Sequence, residues 1–361
     1  MPITGNKGEW SEVYVLFRLL GDGRLYSANA NFERDDTAFF PVIKVLRNEP
    51  NDKHYEYKVK EQSVPKTIEI YLNDTLSGTF PQERFSREAD ALLRSILSGT
   101  KAFSVPETEE FMHAIGCYRL AAPSTDKTDI TLQIHDIKTG FAPICGFSIK
   151  SELGGAPTLI NASGSTNFVY SVGNIDAETV ALINSCNTKT KIQDRMKLLQ
   201  QRNANIRFLG PSSSIFTENL MMIDTRFGEM LAEAIKIHFF EDVGSCLDVV
   251  NLLQQRDPLH LNNRDIYAHK FKQFLYAAAL GMTPSTHWDG IDDANGGYIV
   301  VTARGDVLTY YVYNKNYFEA YLLNNTRFER ASTTRHNYAS IYSTEAGSYC
   351  LNLNLQIRFT R

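Results

Sequence analysis

Apolar positions at helical spacing open the chain. Val13, Leu16, Phe17 and Leu20 form one stripe of a segment at 9–20, which Gly21-Asp22-Gly23 ends. Strand-like runs follow at 40–46, 54–59 and 67–72, separated by turn formers such as Asn48, Pro50, Asn51 and Asp52. Helical spacing returns near 87–97 and 107–115. A hairpin then spans 128–150, with arms at 130–134 and 144–149 and Lys138-Thr139-Gly140 as its turn. A polar stretch of Gly, Ser, Thr and Asn fills 154–167. Residues 176–281 read as mostly helical around one short strand at 206–209, and β-structure resumes from Tyr298 around a helix at 318–323. At the end, Tyr349, Leu351, Leu353, Leu355, Ile357 and Phe359 alternate with Cys350, Asn352, Asn354, Gln356 and Arg358, which predicts one continuous strand with a core face and an amide face. The change from β-rich to helical pattern near Val172 divides this mixed α/β (α+β) chain into residues 1–172 and 173–361.

Composition adds limits. The 361 residues are 43% hydrophobic and 22% charged, enough for an ordinary core and about two domains. The formal net charge of −4 does not favour a nucleic-acid binder, but a local basic groove can coexist with acidic surface elsewhere. The first ten residues lack the apolar core of a secretory signal, and no apolar run is long enough to span a membrane. The five cysteines are odd in number, scattered and without CxxC spacing, so neither a disulfide framework nor a zinc site is expected. Together these point to a reduced cytoplasm.

Candidate chemistry concentrates on the hairpin. With the turn centred on Thr139-Gly140, Asp129 lies opposite Lys150 and Thr131 opposite Ser148, all on one face because alternate strand residues share a face. Ile130, Leu132, Phe147 and Ile149 turn the other way. An acid at the start of one arm and an amine at the end of the next is a layout that metal-dependent phosphodiester hydrolysis can use: the carboxylate holds a divalent cation and the lysine orients water and offsets phosphate charge. A cross-strand ion pair at a sheet edge accounts for the same spacing. Asp136, near the hairpin tip, reads as a turn residue.

The segment from Lys127 to Asp136, followed by Gly146-Phe-Ser-Ile-Lys-Ser-Glu-Leu-Gly154, resembles the catalytic hairpin of PD-(D/E)xK nucleases. Thr158-Leu-Ile-Asn-Ala-Ser163, Thr166-Asn-Phe168, Trp288-Asp-Gly290, Gly296-Gly-Tyr298 and Leu353-Asn-Leu-Gln-Ile-Arg-Phe359 resemble the HpaII-type restriction endonucleases, and the resemblance runs from Gly8 to Phe359. It implies a PD-(D/E)xK core of mixed sheet and flanking helices, with helical and β-rich additions. It also implies magnesium-dependent cleavage of duplex DNA at a short palindrome, CCGG, leaving 5′-phosphates. By the same resemblance Asp129 maps to the metal-binding aspartate, Lys150 to the lysine, and the Ile149 carbonyl to a further ligand. Ser148 stands where the motif expects an acid, and a hydroxyl is a poor ligand for a hard cation. Glu12, on the first helix in Gly8-x-x-x-Glu12, is the candidate replacement, with Glu9 as the alternative.

Duplex binding needs cations for phosphates and donors for base edges. Residues 187–207 carry Lys189, Lys191, Arg195, Lys197, Arg202 and Arg207 against Asp194, a local charge of +5, which suits either a backbone-tracking surface or a solvated helix face. Arg335 and His336 lie in a second candidate loop, and arginine pairs well with a guanine edge. Ser151, Thr158, Asn161, Ser163, Thr166 and Asn167 offer neutral donors just after the candidate lysine, and the amide face of the last strand is either solvated or turned to DNA. A palindromic site suggests a homodimer, at least on DNA, and a restriction enzyme implies a partner methyltransferase in a restriction-modification system. The departure at Ser148 leaves two alternatives: a DNA-binding protein with a degenerate nuclease fold, and a structure-selective nuclease.

Overall fold

The computed structural model describes residues 2–28, 33–122, 128–262, 265–311 and 315–360; Lys127 of the hairpin motif lies outside them. Two compact units divide the chain: Met1–Pro157 with Asp292–Phe318, and Thr158–Ile291 with Glu319–Arg361. The sequence pattern draws its line at 172/173; the units follow strand pairing instead, because the strands of 292–318 enter the first sheet.

The first unit begins with helix α1, Lys7–Asp22. Asn6 caps it, accepting from the N–H groups of Gly8 and Glu9, while the Glu9 carboxylate accepts from the Asn6 N–H at 2.7 Å. Gly23, with φ of 64°, closes the helix in the left-handed conformation that glycine adopts without steric cost. A long apolar stripe of α1, including Val13, Leu16, Phe17 and Leu20, is fully buried. Trp10 belongs to this core, its indole N–H donating to the Phe103 carbonyl at 3.0 Å.

Next come β1 Arg24–Ala28, β2 Arg34–Glu49, β3 Lys53–Lys60, β4 Thr67–Leu72 and β5 Thr75–Pro81. Helices α2 Gln82–Ser98 and α3 Pro106–Ala114 precede the hairpin strands β6 Ile130–Ile134 and β7 Ile144–Ser151. The strands Gly297–Val301 and Val307–Tyr311 complete a nine-stranded sheet, ordered β1, Val307–Tyr311, Gly297–Val301, β7, β6, β2, β3, β4, β5. Gly297–Val301 runs parallel to β7, and β1 runs parallel to Val307–Tyr311; the other pairings are antiparallel. The first half of the long strand β2 also pairs with β1, so six strands pair in a closed circuit. The hairpin strand β7 therefore has neighbours on both edges and is almost wholly buried, which makes it a rigid base for side chains at its end.

The second unit holds two small sheets. One is ordered Asn205–Pro211, Asn167–Gly173, Tyr349–Asn354, Ile341–Ser343; the other is ordered Thr326–Phe328, Ile357–Phe359, Thr158–Ile160. Helices Ala177–Ser185, Lys191–Gln201, Ser214–Ile223, Phe227–Glu241, Cys246–Arg256 and Ile266–Leu280 pack with them. The expected continuous last strand is broken: residues 349–354 serve one sheet and 357–359 the other, with the Leu355 N–H donating to the Thr166 carbonyl at 2.9 Å. Alternation survives the break because every odd position remains buried except the half-buried Tyr349. All five cysteines are free, and no helix among the described residues is long and apolar enough to cross a membrane.

Candidate active site

The hairpin register differs from the expected one by two residues. Ile130 pairs with Phe147 and Thr131 with Gly146, and the Asp129 N–H donates to the Phe147 carbonyl at 2.9 Å. Asp136 is the cause. It starts the turn, its carboxylate accepting from the Lys138 N–H at 2.9 Å and its carbonyl from the Gly140 N–H at 2.7 Å. The turn is thereby centred one residue earlier than Thr139-Gly140, which moves each cross-strand partner by two. A two-residue slip keeps every side chain on its face. Asp129, Thr131, Ser148 and Lys150 still share one side, but Asp129 now stands beside Ser148 rather than opposite Lys150.

That shift gives the serine a job. The Ser148 hydroxyl donates to Asp129 Oδ2 at 3.1 Å, and the Ile149 N–H donates to the same oxygen at 2.6 Å. Both bonds hold one carboxylate oxygen, while Oδ1 takes no hydrogen bond among the described residues. A strand residue's N–H and C=O point to the same edge, so the Ile149 carbonyl looks to the side on which Asp129 lies.

Of the two helical glutamates, Glu9 is engaged in the helix cap and Glu12 faces the hairpin. Glu12 Oε2 accepts from the Ala122 N–H at 3.0 Å. Burial first, and the Asp129 charge second, push the Glu12 carboxyl up to about 8, against the smaller opposing pull of the Ala122 N–H, Arg47 and Lys150. The Asp129 charge is thus held close enough to oppose the ionisation of Glu12, a repulsion that a divalent cation relieves. Oxygen donors of this kind suit a hard cation. Among the described residues no group of three or more His, Cys, Asp or Glu could hold a metal ion.

Beside Asp129 opens a cleft of about 470 Å³, lined also by Thr128, Ala122, Arg47, Asn48, His54 and Asn73. Arg47 and Arg119 both engage the fully buried Glu49 carboxylate, which fixes Arg47 near Glu12. Arg47 escaped sequence reasoning; it falls just past the strand-like run 40–46, where nothing distinguishes it from a solvated cation. Lys150 lies over the Tyr298 ring, its Nζ 5.3 Å from the centroid.

A family model for the HpaII restriction endonuclease matches residues 6–359. The chain is also 38% identical over 362 residues to the type II restriction enzyme HpaII of Haemophilus parainfluenzae, covering 99% of this chain and 98% of that one. The chain belongs to the HpaII restriction endonuclease family. It is thereby a site-specific endonuclease by family. No solved structure matches it.

Several expected DNA contacts are turned inward. Ser151 is buried, its hydroxyl 2.8 Å from that of Ser11 and accepting from the Leu153 N–H at 3.2 Å. Thr166 and Asn167 are buried and joined to Asn354, whose amide donates to Thr166 Oγ1 at 3.2 Å, to Asn167 Oδ1 at 2.7 Å and to the Ser163 carbonyl at 2.8 Å. The amide face of the last strand is therefore in part an internal fastener, with Asn354 only 2% exposed. Arg195 is buried too: its guanidinium donates to the carbonyls of Ala339, Asn184 and Cys186 and to Ser340 Oγ. A basic helix seen in sequence does not reveal which of its cations turns in. Lys189 and Arg335 are exposed, Lys191 and His336 half-buried, Asn161 exposed and Thr158 half-buried. The His336 carbonyl accepts from the Asn167 amide at 3.0 Å.

Proposed function

We propose that this endonuclease uses a PD-(D/E)xK core in which Asp129, Glu12 and the Ile149 carbonyl hold magnesium, with Lys150 beside them. The carrying observation is the held Asp129 carboxylate: one oxygen is fixed by Ser148 and Ile149, the other takes no hydrogen bond among the described residues, and Glu12 is near enough to resist ionising. Ser148 replaces the missing acid by orienting its neighbour rather than by ligating. Magnesium, when bound, polarises the scissile phosphate and activates a water. To serve beside Asp129 as a ligand, Glu12 would release its proton to solvent. Lys150 places its ammonium where charge grows on the phosphate. The products carry 5′-phosphates.

The substrate proposed is duplex DNA at CCGG, cut by a homodimer whose twofold axis matches the palindrome. The enzyme would act in the cytoplasm beside a methyltransferase that protects host DNA. In the second unit the accessible cations Lys189, Lys191, Lys197, Arg202 and Arg207 are assigned to phosphates, and Arg335 to a guanine edge. Thr158, Asn161 and Ser163, each exposed or half-buried, are the remaining neutral donors.

The test is a digest of unmethylated phage DNA with magnesium at about 10 mM, a saturating level for a weakly held hard cation. Wild type should give discrete fragments ending at CCGG, and Lys150→Ala should lose about a hundredfold or more in rate. DNA bound without any cutting by wild type would instead make this a degenerate nuclease fold. Cutting at junctions without fixed sequence would make it structure-selective.

A further inference from the structure

We infer that Tyr298 is a positioning residue for cleavage, its ring face forming the seat of the Lys150 ammonium; this rests on the site reading above. The motif Asn295-Gly296-Gly297-Tyr298 docks the strand Gly297–Val301 beside β7. Asn295 Oδ1 accepts from the Gly146 N–H at 2.9 Å, and the Gly296 N–H donates to the Gly146 carbonyl at 2.8 Å. A Cβ at Gly296 would fall 2.6 Å from the Phe147 ring, so only glycine lets the two strands close. Gly297, with φ of 99°, then turns the chain into the parallel register.

That register decides where Tyr298 sits. It pairs with Ser148, and Val300 pairs with Lys150. Register partners in a parallel ladder place their side chains on one face, so Tyr298 shares the face of Ser148 and Lys150. Tyr298 is 1% exposed, and its ring is braced by Phe318 at 5.0 Å between centroids. The negative face of an aromatic ring attracts an ammonium within about 6 Å, and the attraction strengthens when both are shielded from water. The Lys150 Nζ lies inside that range at 5.3 Å. The ring thus limits where a long, flexible side chain can carry its charge, beside an Asp129 whose Oδ2 is held by Ser148 and Ile149.

Ring polarity can be varied at constant shape. Phenylalanine and its mono-, di- and trifluorinated forms are placed at position 298, and single-turnover cleavage, DNA affinity in calcium and thermal midpoint are measured. Tyr298→Phe should cleave within about threefold of wild type. Progressive fluorination should lower the rate stepwise, by about three- to thirtyfold in total, with affinity and midpoint unchanged. A flat rate across the series, with Lys150→Ala inactive, would overturn the role of Tyr298 and leave the site reading intact. Lys150→Ala cutting normally would instead overturn the site reading itself.

Discussion

Glu12 shows how one residue couples the fold to the chemistry. The unfolded chain releases its proton near 4.5 and the folded protein near 8, chiefly because the carboxyl is buried and secondly because Asp129 is charged. Between those values the folded state binds more protons than the unfolded one, so this group's contribution is greatest below 4.5, is lost as pH rises and is level above about 8. In the proposed site, a metal held by the ionised pair would have to displace the same proton. The magnesium concentration for half-maximal cleavage should therefore fall as pH rises towards 8 and then level off. In chelator, the thermal midpoint of wild type should decline across that window relative to Glu12→Gln, which should also cleave far more slowly. Parallel midpoint curves for the two proteins would sink the assignment.

At the scale of the element, the basic helix Lys191–Gln201 turns its cations in two directions that its sequence does not separate. Arg195 fastens the segments at 184–186 and 339–340 from inside, whereas Lys197 is exposed. Removing the guanidinium leaves buried carbonyls without donors. Arg195→Met should cost about 3 kcal/mol of stability by denaturant titration and leave the salt slope of DNA binding unaltered. Lys197→Ala should leave stability within about 0.5 kcal/mol and reduce that slope by about one. If Arg195→Met lowers the slope as much as Lys197→Ala does, its buried bonds are not its main role.

The whole molecule is organised by non-local pairing. Two strands of the first sheet, Gly297–Val301 and Val307–Tyr311, arrive only after the chain has passed through 158–291. A chain stopped at Ile291 would leave β7 with an open edge and lose Tyr298, so it should be insoluble or unfolded by circular dichroism. Co-expressing it with 292–361 should recover soluble protein, by restoring both that edge and the residues 319–361 of the second unit. A stable, cooperative melt for the short chain alone would show that the first seven strands suffice.

Local pattern was enough for most elements, because helical and strand periods come from the chain's own geometry: α1, β3, β4, β6 and the helices of 176–281 follow the apolar spacing. It was also enough for the shared face of Asp129, Ser148 and Lys150, since a slip of two residues leaves faces unchanged. The register itself was decided by the Asp136 turn, and a helix cap decided that Glu9 is engaged at the start of its helix. The burial of Ser151, Thr166, Asn167 and Arg195 and the approach of Tyr298 to Lys150 were decided by contacts between residues far apart in sequence. A polar side chain carries the same hydrogen-bonding groups whether it meets water, DNA or a buried carbonyl, and only the packed chain determines which partner is in reach.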